Sequence, residues 1–385
     1  MSIYLDNAAT SWPKHPEMLK AMAGYLEDAG GNPGRSGHSL SAAAARVVFE
    51  TRSLLARLFG VAVVDQVIFT KNATEALNIV LFGFLLSGDH VLTTSVEHNA
   101  VMRPLRHLER SGVEITVIPC DNRGYLDVED LKKAITPKTK LIAMTHASNV
   151  IGTILPIAKA GQIAREAGIR LLVDASQTAG MEDIDMERDC IDALAFTGHK
   201  SLGGPQGTGG LALRPDFTIQ PLIYGGTGSF SESEIQPDFL PDQLESGTIN
   251  AIGIAGLGAS VSWLLSEGLP RIREHKKNLI RQFIEGASNI PGITLYGSSN
   301  PVDNAGVVSL NLNGVVRSEL GMVLDQAYGI LTRTGLHCAP AAHKTIGTFP
   351  QGTVRFSVSA FTTTEEIDIT LHALRAIAAA SSETE

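Results

Sequence analysis

The chain has 385 residues, 44% of them apolar and 5% aromatic, ample for one large or two ordinary globular domains. Its 40 acids outweigh 31 bases, and the resulting net charge of −9 argues against nucleic acid as a partner, which would need a basic face. Three scattered cysteines, Cys120, Cys190 and Cys338, exclude a disulfide framework and a Cys-x-x-Cys metal site, so no metal is expected and a reducing cytoplasm is the natural compartment.

At the N-terminus no basic segment precedes an apolar run, so no signal peptide is expected. Val67–Thr70 reads as a strand. Asn72 follows it, with Glu75 three residues on in the manner of a capping box, and Leu77, Val80, Leu81 and Phe84 then recur with a helical period. The apolar stretch from Ile79 to Leu86 is too short for a membrane span and is broken by Gly83, which suits a buried helix; no membrane is expected as a partner. The strand-then-helix pattern returns at His90–Thr93, Glu114–Ile118, Leu141–Thr145 and Arg170–Val173. This alternation predicts an α/β domain with a mostly parallel sheet, whose ligands sit at the carboxyl ends of the strands. Ile191–Phe196 is a further buried strand, ending in Thr197-Gly198-His199-Lys200 and a Gly-rich loop, Ser201–Gly207. Beyond Gly256 the rhythm changes. Helical patterns at Ile254–Ser266 and Pro270–Glu285 lead to strands at Thr294–Tyr296, Val307–Leu312, Ile330–Thr332 and Val354–Ser359, and to a last helix at Thr364–Ala380. The polar tail Ser381–Glu385 is expected to fray. The expected division is a large domain over residues 21–255 and a smaller α+β domain from residues 1–20 and 256–385.

Lys200 is the most informative residue. A lysine at the end of a buried strand is poorly solvated, so more of it is free amine, the form that Schiff-base chemistry requires. Thr197 and His199 beside it can hold a phosphate, and together the three suggest pyridoxal phosphate. A solvated surface lysine is the plainer alternative. Asp174 ends the run Leu171–Val173, where a carboxylate can pair with a pyridinium nitrogen or simply cap a helix. Gln177, one helical turn on, reaches the same ring. Asn72-Ala73-Thr74 opens a helix after a strand, which suits both ordinary capping and an anion held by backbone N–H groups and the Thr74 hydroxyl. His98 follows a strand and can stack on a ring, shuttle protons or serve structurally. Asn149 lies in a polar cluster after another strand.

These segments occur in a fixed order. Tyr4–Thr10, Phe69–Ala76, Glu97–Ala100, Ser148–Thr153, Val173–Gln177, Gly198–Lys200 and Glu245–Asn250 together resemble the class V, fold-type I enzymes that use pyridoxal phosphate, and among them the cysteine desulfurases. The resemblance spans nearly the whole chain. It implies that Lys200 carries the cofactor, Asp174 pairs with the ring nitrogen, Gln177 bonds the ring hydroxyl and His98 stacks on the ring. Ala73, Thr74, Thr197 and His199 would hold the phosphate, joined by Thr248 from a second protomer of a homodimer. Asn149 would touch cofactor and substrate, Arg355 would clamp the substrate carboxylate, and His38 would also meet substrate. Arg333–Pro340 resembles the segment of the catalytic cysteine, Cys338, in the branch with a short loop. Arg333 and His337 nearby would favour its thiolate. Leu336 stands where relatives of that branch often have a second His, and Gly225–Ser229 departs from the usual Gly-rich loop. The implied activity is removal of sulfur from L-cysteine, giving L-alanine and a persulfide on Cys338 for a sulfur-acceptor protein, with His98 as proton donor. The alternatives are a selenocysteine lyase acting on L-selenocysteine or another class V reaction, namely an aminotransferase, epimerase or β-lyase.

Overall fold

The computed structural model describes residues 2–34 and 37–382. The chain runs through β1 (Ile3–Tyr4), α1 (Pro16–Asp28), α2 (Ser39–Leu58), β2 (Val67–Thr70), α3 (Ala73–Phe84), β3 (His90–Thr94), α4 (Asn99–Arg110), β4 (Glu114–Ile118), α5 (Val128–Lys133), β5 (Thr139–Thr145), α6 (Ile157–Ala167), β6 (Arg170–Asp174), β7 (Ala193–Thr197) and β8 (Gly209–Leu213). It continues through α7 (Ala251–Glu267), α8 (Leu269–Ser288), β9 (Ile293–Tyr296), β10 (Val307–Leu312), α9 (Arg317–Tyr328), β11 (Ile330–Leu331), β12 (Arg333–Gly335), α10 (Pro340–Thr345), β13 (Thr353–Ser357) and α11 (Thr364–Ser382).

Seven strands form the main sheet in the order β2-β8-β7-β6-β5-β3-β4. The pairs from β4 to β7 are parallel, and β8 runs antiparallel to both its neighbours. The period of two sorts side chains to the two faces. Leu171, Val173, Leu194 and Phe196 enter one core, with α2 and α7, whereas Leu172, Ala193 and Ala195 enter the other, with α3 and α4. Burial on both faces explains the near-continuous apolar strands. A second sheet, β12-β13-β10-β9, packs against α8 and α11 through a third core that contains Phe283, Leu310, Phe356 and Leu371.

Strand β8 was not expected. Its start, Gly209-Gly210, lacks β-branched residues, and a Cβ at Gly209 would meet Asn72 Cα at 2.6 Å. Glycine thus lets β8 pass beneath the start of α3. The expected division at 255/256 falls inside α7, an unbroken helix whose Ala251, Ile254, Leu257, Val261 and Leu264 belong to the large-sheet core. The division at residue 20 likewise falls inside α1, which packs along α7. Of the expected fraying tail, Ser381 and Ser382 belong to α11, and residues 383–385 lie outside the described residues. Among the described residues no single helix is long and apolar enough to cross a membrane.

Candidate active site

The carboxyl ends of the parallel strands open on a cavity of about 290 Å³. Lys200 lines it three residues beyond β7, with Asp174 at the end of β6, Thr145 at the end of β5, and His98 before α4. Ala73, Thr74, Asn149, Gln177, Thr197, His199 and Arg355 line it as well. Ala8 and Ala9 come from the N-terminal segment, which is tied to the small sheet by the bridge Asp6–Ser357 and to the Lys200 strand by Ser11 N–H donating to His199 O at 2.9 Å. Two expected residues lie elsewhere. His38 is exposed and caps α2, its Nδ1 accepting from Ser41 N at 3.2 Å. Thr248 is exposed and lines two other clefts. Its segment is anchored by Glu245, which takes a buried bidentate pair from Arg52 (2.6 and 2.9 Å) and accepts from Phe69 N at 2.6 Å.

The electrostatics follow from burial. Burial pushes the Lys200 ammonium down to about 8; Asp174 opposes that shift, while Arg355 and Arg333 add to it. At neutral pH a useful fraction of Lys200 is therefore free amine. Asp174 does not cap a helix, since the chain after it makes turns rather than a helix. Its Oδ1 accepts from Ser176 N (2.9 Å) and Ser176 Oγ (2.5 Å). Because of those turns Gln177 is not one helical turn on, yet it still lines the cavity, held by donation from Nε2 to Ala8 O at 3.2 Å. Burial lowers His98 to about 4, so its ring is neutral. Its Nδ1 accepts from Ala100 N at 3.0 Å, which places the remaining proton on Nε2.

Arg355 is 1% exposed. Its Nη2 donates to Asp6 Oδ1 at 2.7 Å and its Nη1 to Asn149 O at 3.0 Å, and its Nε has no partner. The amide of Asn149 donates from Nδ2 to His337 O at 2.7 Å. His337 and Cys338 form a turn in which two successive non-glycine residues have φ of 48° and 58°. That conformation costs free energy and persists only when the surroundings hold it. Asn149 holds one end, and Asn99 N–H holds the other by donating to Cys338 O at 2.9 Å.

Cys338 is exposed beside the cavity, with Arg333 Nη2 at 3.7 Å from its sulfur. The expectation that both Arg333 and His337 favour the thiolate needs correction. The His337 ring turns inward, with Nε2 at 3.1 Å from Thr353 Oγ1, and burial together with Arg355 lowers it to about 2. It carries no charge, so it adds no cation beside Cys338, whereas Arg333 does. Cys120 has the opposite environment, burial pushing its thiol up to about 11.

The cavity fits pyridoxal phosphate. Thr197 Oγ1, His199 Nδ1 and Asn149 Oδ1 are buried without hydrogen-bond partners, on residues that line it. Buried polar atoms are nearly always paired, so such a cluster marks a place for a polar ligand. The start of α3, with Asn72 Oδ1 accepting from Glu75 N at 3.0 Å, presents backbone N–H groups there for a phosphate. The sequence singled out most of these groups because each follows a strand. It missed Asp6 as the counter-ion of Arg355, and Ala8, Ala9 and Ser176 as wall. The Tyr4–Thr10 segment was its only signal for the first three.

A family model described as aminotransferase class V matches residues 3–370. The chain is 35% identical over 383 residues to a probable cysteine desulfurase of Methanothermobacter thermautotrophicus, covering 98% of this chain and 94% of that one. It is 33% identical over 393 residues to the cysteine desulfurase IscS of Dictyoglomus turgidum, covering 97% and 94%. Its fold is similar to the apo structure of a cysteine desulfurase from Thermococcus onnurineus NA1, with a TM-score of 0.93, 33% identity and coverage of 98% and 95%.

Proposed function

The chain belongs to the class V aminotransferase family and, within it, to the cysteine desulfurases; from that premise we propose that it removes sulfur from L-cysteine, releases L-alanine and holds the sulfur as a persulfide on Cys338. The observation that carries this reading is the Cys338 turn, fixed by Asn149 to the rim of the Lys200 cavity. Class V membership implies pyridoxal phosphate. Bound there, it would supply an electron sink conjugated to the substrate amino group, which weakens the Cα–H and C–S bonds.

The chain's own residues do the rest. Lys200 would hold the cofactor, and its Nζ, as free amine, would take the Cα proton of the substrate. Asp174, whose Oδ2 is free of the Ser176 contacts, would pair with the ring nitrogen. Ala73, Thr74, Thr197 and His199 would hold the phosphate, Gln177 would bond the ring hydroxyl, and His98 would stack on the ring and give a proton from Nε2. Arg355 binds the substrate carboxylate through its unpartnered Nε. Cys338, with Arg333 Nη2 at 3.7 Å from its sulfur, attacks the substrate sulfur as thiolate. An S–S bond forms and the substrate C–S bond breaks, its electron pair staying with the fragment that is protonated to alanine. Thr74 is exposed at the phosphate end, where Thr248 of a second protomer would join it in a homodimer. The three free cysteines suit a reducing compartment such as the cytoplasm. The test is a product assay with L-cysteine, L-selenocysteine and common amino acids. Alanine and Cys338 persulfide from L-cysteine support the reading. Activity confined to L-selenocysteine, or amino-group transfer instead, would overturn it.

A further inference from the structure

A cavity of about 650 Å³, separate from the Lys200 site, lies beside the Cys338 segment, lined by Asn99 and by Pro340. One wall is α4, whose first residue, Asn99, holds Cys338 O, and the other is α10, which starts at Pro340 two residues after the cysteine. Thr345 Oγ1 donates to Ser95 O at 2.8 Å and fixes the walls to each other. Arg103, Arg106, His107 and Arg110 recur at i, i+3, i+4 and i+7, so they share one face of α4, and all four are exposed. From Arg103 to Arg110 the row spans about 10 Å. Lys344 of α10 faces them across the groove.

Among the described residues, Arg106 of this set pairs with a carboxylate, Glu109 at 2.8 Å, while Arg103, Arg110 and Lys344 pair with none. The dipole at a helix C-terminus accounts for His107 and Arg110, the cations of the last turn of α4. It likewise accounts for Lys344, in the last turn of α10 and over the Phe349 ring, but not for Arg103 in the first half of α4. A chain with a net charge of −9 thus gathers cations, Arg103 and Arg110 among them without a carboxylate partner, in a groove whose walls adjoin the segment of its exposed thiol.

We propose that this groove docks an acidic segment of a thiol-bearing protein that accepts sulfur from Cys338. The proposal rests on the desulfurase reading and adds the chemistry of the acceptor. In the transfer the acceptor thiolate attacks the outer sulfur of the Cys338 persulfide. A new S–S bond forms on the acceptor, the old one breaks, and Cys338 leaves as thiolate, with no net oxidation. Opposite charge would speed this encounter more than it tightens the complex.

The test uses holoenzyme charged with persulfide by limiting L-cysteine. Three decapeptides with one central cysteine serve as acceptors, flanked by Glu and Asp, by Ser and Asn, or by Lys. Transfer is followed by intact mass, and rates are expressed per thiolate so that the flanking charge does not act through the thiol. At low salt the acidic peptide should react about tenfold faster than the neutral one, with the advantage lost at high salt. The double variant Arg103→Glu, Arg110→Glu should abolish the advantage and keep its turnover with dithiothreitol as acceptor. Equal rates for the acidic and neutral peptides, or an advantage that survives the double variant, would overturn the proposal. A cysteine-free acidic peptide, read by fluorescence anisotropy, separates the two ideas. If no persulfide forms on Cys338, the desulfurase reading fails, and binding to wild type but not to the double variant still supports the groove as an acidic-segment site. Tighter binding of an RNA decamer than of that peptide assigns the groove to nucleic acid and overturns the proposal.

Discussion

Arg355→Ala removes a guanidinium that is 1% exposed and holds three things at once. Its Nη2 pairs with Asp6, its Nη1 ties down Asn149 O, and its free Nε is the donor assigned to the substrate carboxylate. Loss of a charge-assisted hydrogen bond to substrate costs roughly 1.5–3 kcal/mol, which is roughly 10- to 150-fold in affinity. Breaking a buried ion pair costs about 3–5 kcal/mol of stability. The lower end applies, because the Asp6 side chain is 22% exposed and can be rehydrated. The assay is alanine formation from L-cysteine, set beside consumption of cysteamine, which lacks the carboxylate. Wild type should strongly prefer L-cysteine. Arg355→Ala should raise KM for L-cysteine by the factor above, leave cysteamine nearly untouched and so lose the preference, while the midpoint of urea unfolding falls. A proportional loss for both substrates would show that Arg355 acts only by supporting the fold and would refute the carboxylate assignment.

Asn149→Asp keeps shape but turns the donor to His337 O into an acceptor; losing about 1 kcal/mol there should speed amide exchange at residues 337–339 about fivefold, and unchanged exchange would contradict the tether. Burial lowers His98, His146, His199 and His343 to about 4 and His337 to about 2. Between pH 6.5 and those values the unfolded chain binds protons that the folded chain refuses, so stability is fully present above pH 6.5 and falls on acidification. Urea midpoints should drop steadily from pH 7 to pH 5, with a shallower slope in His337→Asn; a flat profile would count against neutral buried rings. Heterodimers of Thr248→Ala with Lys200→Ala should regain about half of the wild-type activity, because one of their two composite sites is intact. No recovery would mean that each site draws on one chain.

The parallel strands were legible because burial on both faces demands apolar, β-branched runs, and Lys200, Asp174 and His98 were legible because each closely follows such a run. Strand β8 was not, since its glycines serve the close approach of Asn72 rather than β propensity. The division expected near residues 20 and 255 cuts through α1 and α7, which pack on each other, and the apolar face of α7 stays in the large-sheet core. The pair Asp6–Arg355 joins positions 349 residues apart, and no local pattern encodes it. His337 misled for a physical reason. Adjacency to Cys338 suggested a second cation, but a turn with positive φ at both residues sends the ring inward, where it is neutral. The cationic face of α4 follows plain helical spacing, and a net charge of −9 conceals it.

Cys338→Ser tests the central claim most directly, because the Lys200 cavity needs no thiol. The variant should bind pyridoxal phosphate and show the same absorbance change as wild type when L-cysteine is added. Intact mass after a single turnover should show one added sulfur on wild type and none on the variant, and alanine release by the variant should fall to the background level. Serine is a poor replacement, since its hydroxyl ionises far less readily than a thiol. Release of alanine from L-cysteine by Cys338→Ser at the wild-type rate would contradict the account and leave Cys338 outside the reaction.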